Sequence, residues 1–308
     1  MFGSHLSIAG GLHHALVGAK SQGMDCVQIF TKNQRRWKVQ PLLEEAIQQW
    51  FSCLKDNGWE NTNRVVSHNS YLVNLASPNL ESRKKSIELQ REEIERCEQL
   101  GIPSLVSHPG ARLGTPRKTT EKNKLGEPPT KEELEGLKRI AQSIDQLHKE
   151  LPRYNTKICL ETTVGSGTNL GYDFQHLSII RNEVKDPERI AFCFDTCHVV
   201  AAGYGMQTNA TAESVLQEFD AVVGLQHINV FHFNDSAKAV GSRKDRHSHI
   251  GEGACGRSCF RSIVKRTQFD DIPKILETSK EANKKGVCMD LVNIKKLRSM
   301  QTRTRKRR

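Results

Sequence analysis

The amino-acid sequence predicts an α/β fold, a single closed (β/α)8 barrel. Three observations carry that expectation. Eight short apolar runs recur along the chain, longer segments of helical spacing stand between them, and six consecutive runs end in an imidazole or a carboxylate. Such alternation builds a parallel sheet, and eight units close it most economically. A doubly wound open sheet is the alternative, but no G-x-G-x-x-G string follows the first run.

The runs are, in order, "MFGSHLSI" at the start, "DCVQIFT" (25–31), "RVVSH" (64–68), "SLVSH" (104–108), "KICLET" (157–162), "IAFCFD" (190–195), "NVFHFND" (229–235) and "PKILET" (273–278). Between them, residues 41–55 place Leu43, Ile47, Trp50 and Leu54 on one helical face, closed by Gly58. Residues 132–148 repeat the pattern with Leu134, Leu137, Ile140, Ile144 and Leu147, and 213–223 with Val215, Leu216, Phe219 and Val222. Residues 112–131, "RLGTPRKTTEKNKLGEPPTK", are polar and patternless and predict a long mobile loop after the fourth strand. The barrel is expected over 1–298, with 299–308 a disordered basic tail.

A composition of 36% hydrophobic and 26% charged residues fits an ordinary soluble globular protein. No apolar run approaches the ~18–20 residues that span a bilayer. The start, "MFGSHLSIAGG", lacks the basic and apolar regions of a signal peptide. A cytoplasmic protein is expected, nuclear only if the tail "RTRKRR" acts as a signal. Nine cysteines, an odd number with no C-x-x-C pair, read as reduced thiols. The net charge is +11, and a basic body remains after discounting the tail and residues 117–124. That balance favours a polyanionic partner, nucleic acid first.

The third to eighth runs end at His68, His108, Glu161, Asp195, His232 and Glu277. In a parallel barrel these ends converge on the C-terminal face, where active sites of this fold lie. Desolvating one such group without a partner costs several kcal/mol, and divalent cations cancel that cost. Loops add His198, three residues past Asp195 in "AFCFDTCH" (191–198), and Asp245 and His247 of "DRH". Five imidazoles and four carboxylates suit Zn²⁺, and Mn²⁺ or Fe²⁺ less well. Nine donors exceed one tetrahedral ion or a pair, so three ions are the natural count. Three divalent ions bring roughly +6 against −4, leaving about +2 for an anionic phosphate and a hydroxide.

Each donor taken singly has a plainer reading. His68 or His108 could be a satisfied core histidine, Asp195 a helix cap, Glu277 the partner of an arginine. The convergence of nine defeats these readings together. Cys197 beside His198 is a candidate nucleophile, but no basic cluster stands near it to lower its pKa, and a buried thiol is the better reading. His13, His14, His148 and His176 fall on helical stretches, while His5 ends the first strand and is expected to support the donors rather than join them.

Seven strings carry a family resemblance: "FTKNQRRW" (30–37), "HNSYLVNLA" (68–76), "RCEQLGI" (96–102), "HPGA" (108–111), "FDTCHVVAAGY" (194–204), "GSRKDRH" (241–247) and "GEG" (251–253). In this order, from about Phe2 to about Thr278, the chain resembles the endonuclease IV family of apurinic/apyrimidinic (AP) endonucleases, AP endonuclease family 2, within the xylose-isomerase-like superfamily. The resemblance implies a barrel with three zinc ions in its mouth, Mn²⁺ or Fe²⁺ being an alternative at one site. One ion would be held by His68, His108 and Glu161, a second by Glu161, Asp195, His232 and Glu277, and the third by His198, Asp245 and His247. It further implies a monomer that cleaves double-stranded DNA 5′ to an abasic site, leaving a 3′-hydroxyl and a 5′-deoxyribose phosphate, and trims blocked 3′ ends. Glu277 and the bridging Glu161 would be the catalytic carboxylates. Arg35, Tyr71 and Leu72, on loops after the second and third strands, would enter the minor groove at the lesion. One departure is Ala237 in "NDSAK", where the family commonly has lysine. Sugar isomerisation or epimerisation on a related barrel is the rival, and it explains neither "DRH" with His198 nor the basic surface.

Overall fold

Alternation along each strand sorts the side chains of the barrel, because successive residues point to opposite faces. In the computed structural model, which describes residues 1–38, 40–115 and 125–301, the strands are β1 (Phe2–His5), β2 (Cys26–Ile29), β3 (Val65–His68), β4 (Ser104–Ser107), β5 (Lys157–Glu161), β6 (Ile190–Asp195), β7 (Ile228–His232), β8 (Asp235–Ser236), β9 (His247–Ser248) and β10 (Lys274–Leu276). Eight of them close a barrel in the order β1-β10-β7-β6-β5-β4-β3-β2, with every neighbouring pair parallel. The eight predicted runs supply these strands. The antiparallel pair β8–β9 was not foreseen and stands outside the barrel, between β7 and β10.

The barrel interior is plugged by small and medium side chains: Cys26, Val66, Val106, Cys159, Ala191, Cys193, Val230 and Ile275. Two residues further along the strands, on the same face, stand Gln28, His68, His108, Glu161, Asp195, His232 and Glu277. The plug therefore forms the floor beneath a polar layer. On β1 the corresponding pair is Gly3 and His5. A Cβ at Gly3 would fall 1.8 Å from the carbonyl oxygen of Cys26, so only glycine lets β1 and β2 approach here.

The opposite faces, with Val27, Ile29, Leu105, Leu160, Phe192, Phe194 and Phe231, join the outer core against the helices. These are α1 (His13–Ser21), α2 (Glu44–Asn57), α3 (Leu80–Gln99), α4 (Lys131–Glu150), α5 (Phe174–Glu183), α6 (Thr196–Ala202), α7 (Asn209–Val222), α8 (Gly256–Val264) and α9 (Met289–Gln301). Gly58, in the left-handed region at φ 66°, ends α2, and a Thr130–Glu133 capping box starts α4.

Two expected boundaries move. Lys131 belongs to α4, and the described ends of the 112–131 segment are tied down rather than loose. The Arg112 amide donates to Thr168 O, and the Gly126 amide donates to Asp173 Oδ2. Residues 116–124 of that segment lie outside the described residues. At the other end, Ser299, Met300 and Gln301 are the last turn of α9, with Met300 buried, so the tail does not begin at 299. Residues 302–308 lie outside the described residues. Among the described residues no helix is long and apolar enough to cross a membrane.

Candidate metal centre

The polar layer resolves into three groups. His68 Nε2 and His108 Nε2 lie 3.4 and 3.1 Å from Glu161 Oε2. His232 Nδ1 lies 2.9 Å from Glu161 Oε1, 3.2 Å from Glu277 Oε2 and 3.8 Å from Asp195 Oδ2. His198 Nε2 and His247 Nε2 lie 3.3 and 3.2 Å from the two oxygens of Asp245. Glu161 ties the groups together, with one oxygen in each of the first two and His198 Nδ1 3.2 Å from Oε1. All nine predicted donors are thus brought together, in sets whose ligand atoms lie within 4.8 Å of one another.

Local structure explains how the loop donors arrive. Asp195 ends β6 and caps α6, its Oδ1 accepting from the His198 amide at 2.7 Å while Oδ2 faces His232. The helix-cap reading of Asp195 is met by one oxygen, and the other oxygen is left facing the donor group. One helical turn carries His198 away from the strand end to the third group. Asp245 and His247 reach the barrel mouth because β9 pairs with β8. That hairpin is itself held by the buried Asp235, which accepts from the amides of Gly251 and Cys255 at 2.8 and 2.9 Å. A Cβ at Gly253 would strike Ser236 O at 2.3 Å, which accounts for the last glycine of "GEG".

Four of the five imidazoles are aimed by a second nitrogen. Nδ1 of His68 contacts Asn69 O at 2.8 Å, Nδ1 of His198 contacts Thr162 O at 2.8 Å, and Nδ1 of His247 contacts Glu277 O at 3.3 Å. Nε2 of His232 contacts Gln28 Oε1 at 2.8 Å. Asn234 donates to Asp195 Oδ2 at 2.7 Å and accepts from the Glu277 amide at 2.8 Å. Gln28, Asn234 and Thr162 were missed in the sequence reading. Gln28 alone left a signal, as the polar residue two positions past Cys26 inside an apolar run.

The electrostatics are those of a site short of positive charge. Burial would raise the Glu161 carboxyl, but His232, His108 and His198 hold it well below the usual range. Glu277, despite burial, is lowered to about 2, mainly by His232. Burial raises Asp195 in spite of His198 and His247. The imidazoles move the other way. Burial would lower His232 and His247, yet the surrounding carboxylates raise each to about 9. Protons on imidazoles supply what balance there is, and divalent cations are the alternative.

Two buried atoms favour the cations. Glu161 Oε2 and His247 Nε2 make no hydrogen bond among the described residues, although each lies within 3.2 Å of a ligand atom of another residue in its group. Ligand atoms about 2.1 Å from a shared tetrahedral ion lie about 3.4 Å apart, close to the spacings within these groups. The cysteine alternative fails on the same ground. Cys193 and Cys197 fall near the donors, but burial pushes Cys193 well up and, with Asp195, pushes Cys197 to about 12. Neither thiol is poised as thiolate. His5 lies behind the donors, 3.0 Å from Gln28 Nε2, and His176 is buried where its Nδ1 accepts from the Gly171 amide.

Of the predicted groove residues, Tyr71 stands at this mouth. Tyr71 is 62% exposed, its ring 5.5 Å from that of His68 and 6.2 Å from that of His108. Arg35 is exposed, and Leu72 is half-buried against the outer core. A cavity of about 260 Å³ opens beside Tyr71, between His68, His108, Asn74 and Asn169.

A closed parallel barrel with imidazoles and carboxylates gathered at its strand ends is a xylose isomerase-like TIM barrel, and the family model of that description matches residues 17–294. The chain is 42% identical over 298 residues to "Probable endonuclease 4" of Geotalea daltonii and 41% identical over 299 residues to that of Chloroflexus aurantiacus, covering 97% of each chain in both cases. The crystal structure of endonuclease IV from Thermus thermophilus superposes with a TM-score of 0.78 at 27% identity, covering 97% of this chain and 98% of that one. A D-tagatose 3-epimerase-like protein, at 21% identity and a TM-score of 0.67, shares the fold. The chain belongs to the endonuclease IV family of AP endonucleases.

Proposed function

We propose that the chain is a metal-dependent AP endonuclease of base-excision DNA repair. It hydrolyses the phosphodiester 5′ to an abasic site in double-stranded DNA, leaves a 3′-hydroxyl and a 5′-deoxyribose phosphate, trims blocked 3′ ends and acts as a monomer. The observation that carries this reading is the meeting of three donor groups around one shared carboxylate, Glu161, at the strand ends of a basic chain. The groups fit divalent ions on chemistry and spacing: three Zn²⁺, with Mn²⁺ or Fe²⁺ as an alternative at one site. When bound, such ions lower the pKa of water and neutralise charge on the phosphate and the departing 3′-oxygen.

The chain's own residues do the rest. Glu161, Asp195, His232 and Glu277 form the second donor set, and Glu277 Oε2 takes the proton of the attacking water. His198, Asp245 and His247 form the third set and would hold the ion that neutralises the departing 3′-oxygen, so no separate general acid is required. Arg35, Tyr71 and Leu72 enter the minor groove at the lesion, where unstacking is cheapest because a base is already missing. A sugar-epimerase reading leaves the third donor set without a task.

The test is a duplex carrying one tetrahydrofuran abasic analogue, incubated with the metal-loaded protein with and without chelator. A single nick on the 5′ side, giving an end that a polymerase extends, is expected, and chelator should suppress it. Absence of incision by loaded protein would overturn the proposal.

A further inference from the structure

Resting on the reading of the cluster as a divalent-metal centre, we propose that Gln28 is a positioning residue that decides which nitrogen of His232 meets a metal ion. Gln28 is fully buried on β2, across the barrel mouth from β7. Its Nε2 donates to Glu277 Oε1 at 2.7 Å and lies 3.0 Å from His5 Nδ1, while its Oε1 lies 2.8 Å from His232 Nε2.

The chemistry of these groups leaves one arrangement. An ionised carboxylate only accepts, so the carboxamide NH₂ must face Glu277 and its oxygen must face His232. Flipping the amide would set oxygen against oxygen at that distance, in a site where an unmet polar contact is costly. The amide oxygen in turn needs a donor, which places the imidazole proton on Nε2. The lone pair of a neutral His232 is then on Nδ1, the atom nearest Glu161, Glu277 and Asp195. The second amide hydrogen is met by His5 Nδ1, so both amide hydrogens have acceptors.

His232 is unlike its neighbours in this respect. His68, His198 and His247 have Nδ1 on backbone carbonyls and present Nε2 to the cluster. The back of the His232 ring instead points across the barrel, where strand carbonyls are engaged in the ladder and only a side chain can meet it. One glutamine thus holds two donors of the same set, one by orienting its ring and one by anchoring its carboxylate.

Gln28→Met keeps the volume and removes these contacts. Zinc affinity of wild type and variant is measured by competition with a chromophoric chelator, and the visible spectrum of the cobalt-substituted proteins is compared, with thermal unfolding of the stripped forms as the fold control. One ion should bind about 10- to 100-fold more weakly in the variant, with an altered cobalt spectrum and the remaining ions unchanged. Equal affinities and spectra overturn the role of Gln28 alone, whereas a wild type that takes up no ion overturns the metal-centre reading and this inference with it. Should the variant fail to fold, histidine ¹⁵N–¹H correlation on the zinc-loaded wild type decides. His232 as the Nε2–H tautomer supports the assignment, and the Nδ1–H tautomer overturns it.

Discussion

Glu161 and Glu277 stand in the same donor set and differ in what reaches them. Side-chain exposure is 1% for Glu161, none for Asp195 and 15% for Glu277, so Glu277 is the acid of the set that incoming water can touch. Its Oε1 is fixed by Gln28 and its backbone amide by Asn234, which leaves Oε2 aimed at the cluster. Glu277→Gln preserves shape and both anchors while removing the proton acceptor. Single-turnover incision should fall by about three orders of magnitude, a loss of about 4 kcal/mol of transition-state stabilisation. Affinity for an abasic duplex should stay within a few-fold, read by fluorescence anisotropy, and unchanged turnover would reject the role. At this scale the sequence was informative where a residue is chemically rare at its position. The acid Glu277 after the apolar part of "PKILET" or a histidine closing "SLVSH" stands out against apolar neighbours. Asn234 and Thr162 do not, because amides and hydroxyls end many strands and only distances reveal their partners.

Among the elements, α3 is the one whose pattern conceals its task. The helices expected at 41–55, 132–148 and 213–223 correspond to α2, α4 and α7, whose buried faces are mostly apolar. The buried side of α3 includes Ser86, Gln90 and Glu93, an i, i+4, i+7 stripe that hydrophobic periodicity does not detect. Its partners are the loops after β2 and β3. Ser86 accepts from the Asn74 amide, Gln90 from Asn69, and Glu93 pairs with Lys32 at 3.2 Å and accepts from Thr31 at 2.8 Å. Lys32 donates to Arg36 O, and Ser70 Oγ bolts the loops together through Gln34 O at 2.7 Å. Arg35 and Tyr71 are thus carried on one braced platform. Glu93→Gln leaves Lys32 buried without a counter-charge and should cost about 3–5 kcal/mol in urea unfolding. Replacing both Lys32 and Glu93 by methionine should recover most of that stability but not the affinity for abasic duplex, since the Arg36 anchor is gone. Recovery of both would mean that the pair supports the core and not the loops.

Across the whole molecule, the donors couple distant parts of the chain. Residues from His68 to Glu277, contributed by six of the eight strand ends, by α6 and by the β8–β9 hairpin, meet in one volume above the plug of Cys26, Val66, Val106 and their neighbours. Barrel closure was legible because eight β-then-α units admit few other topologies. The β8–β9 hairpin was not, since two-residue strands carry no periodicity, and it is this hairpin that delivers Asp245 and His247. An ion shared across such a site binds the folded chain and has no equivalent in the unfolded one, so occupancy is folding free energy. At a free metal concentration a thousand times the dissociation constant, each ion stabilises by about 4 kcal/mol. For a chain of this length one kcal/mol moves Tm by about 1.5 °C, so chelation should lower Tm by about 6 °C for every ion lost. The stripped protein keeps four carboxylates facing five imidazoles, with His232 and His247 raised to about 9 by the carboxylates around them, and should therefore melt cooperatively rather than collapse to an unfolded state. Calorimetry before chelation, after it, and after zinc is restored provides the measurement. A midpoint that neither falls with chelator nor returns with zinc would mean that these nine side chains hold no ion at all.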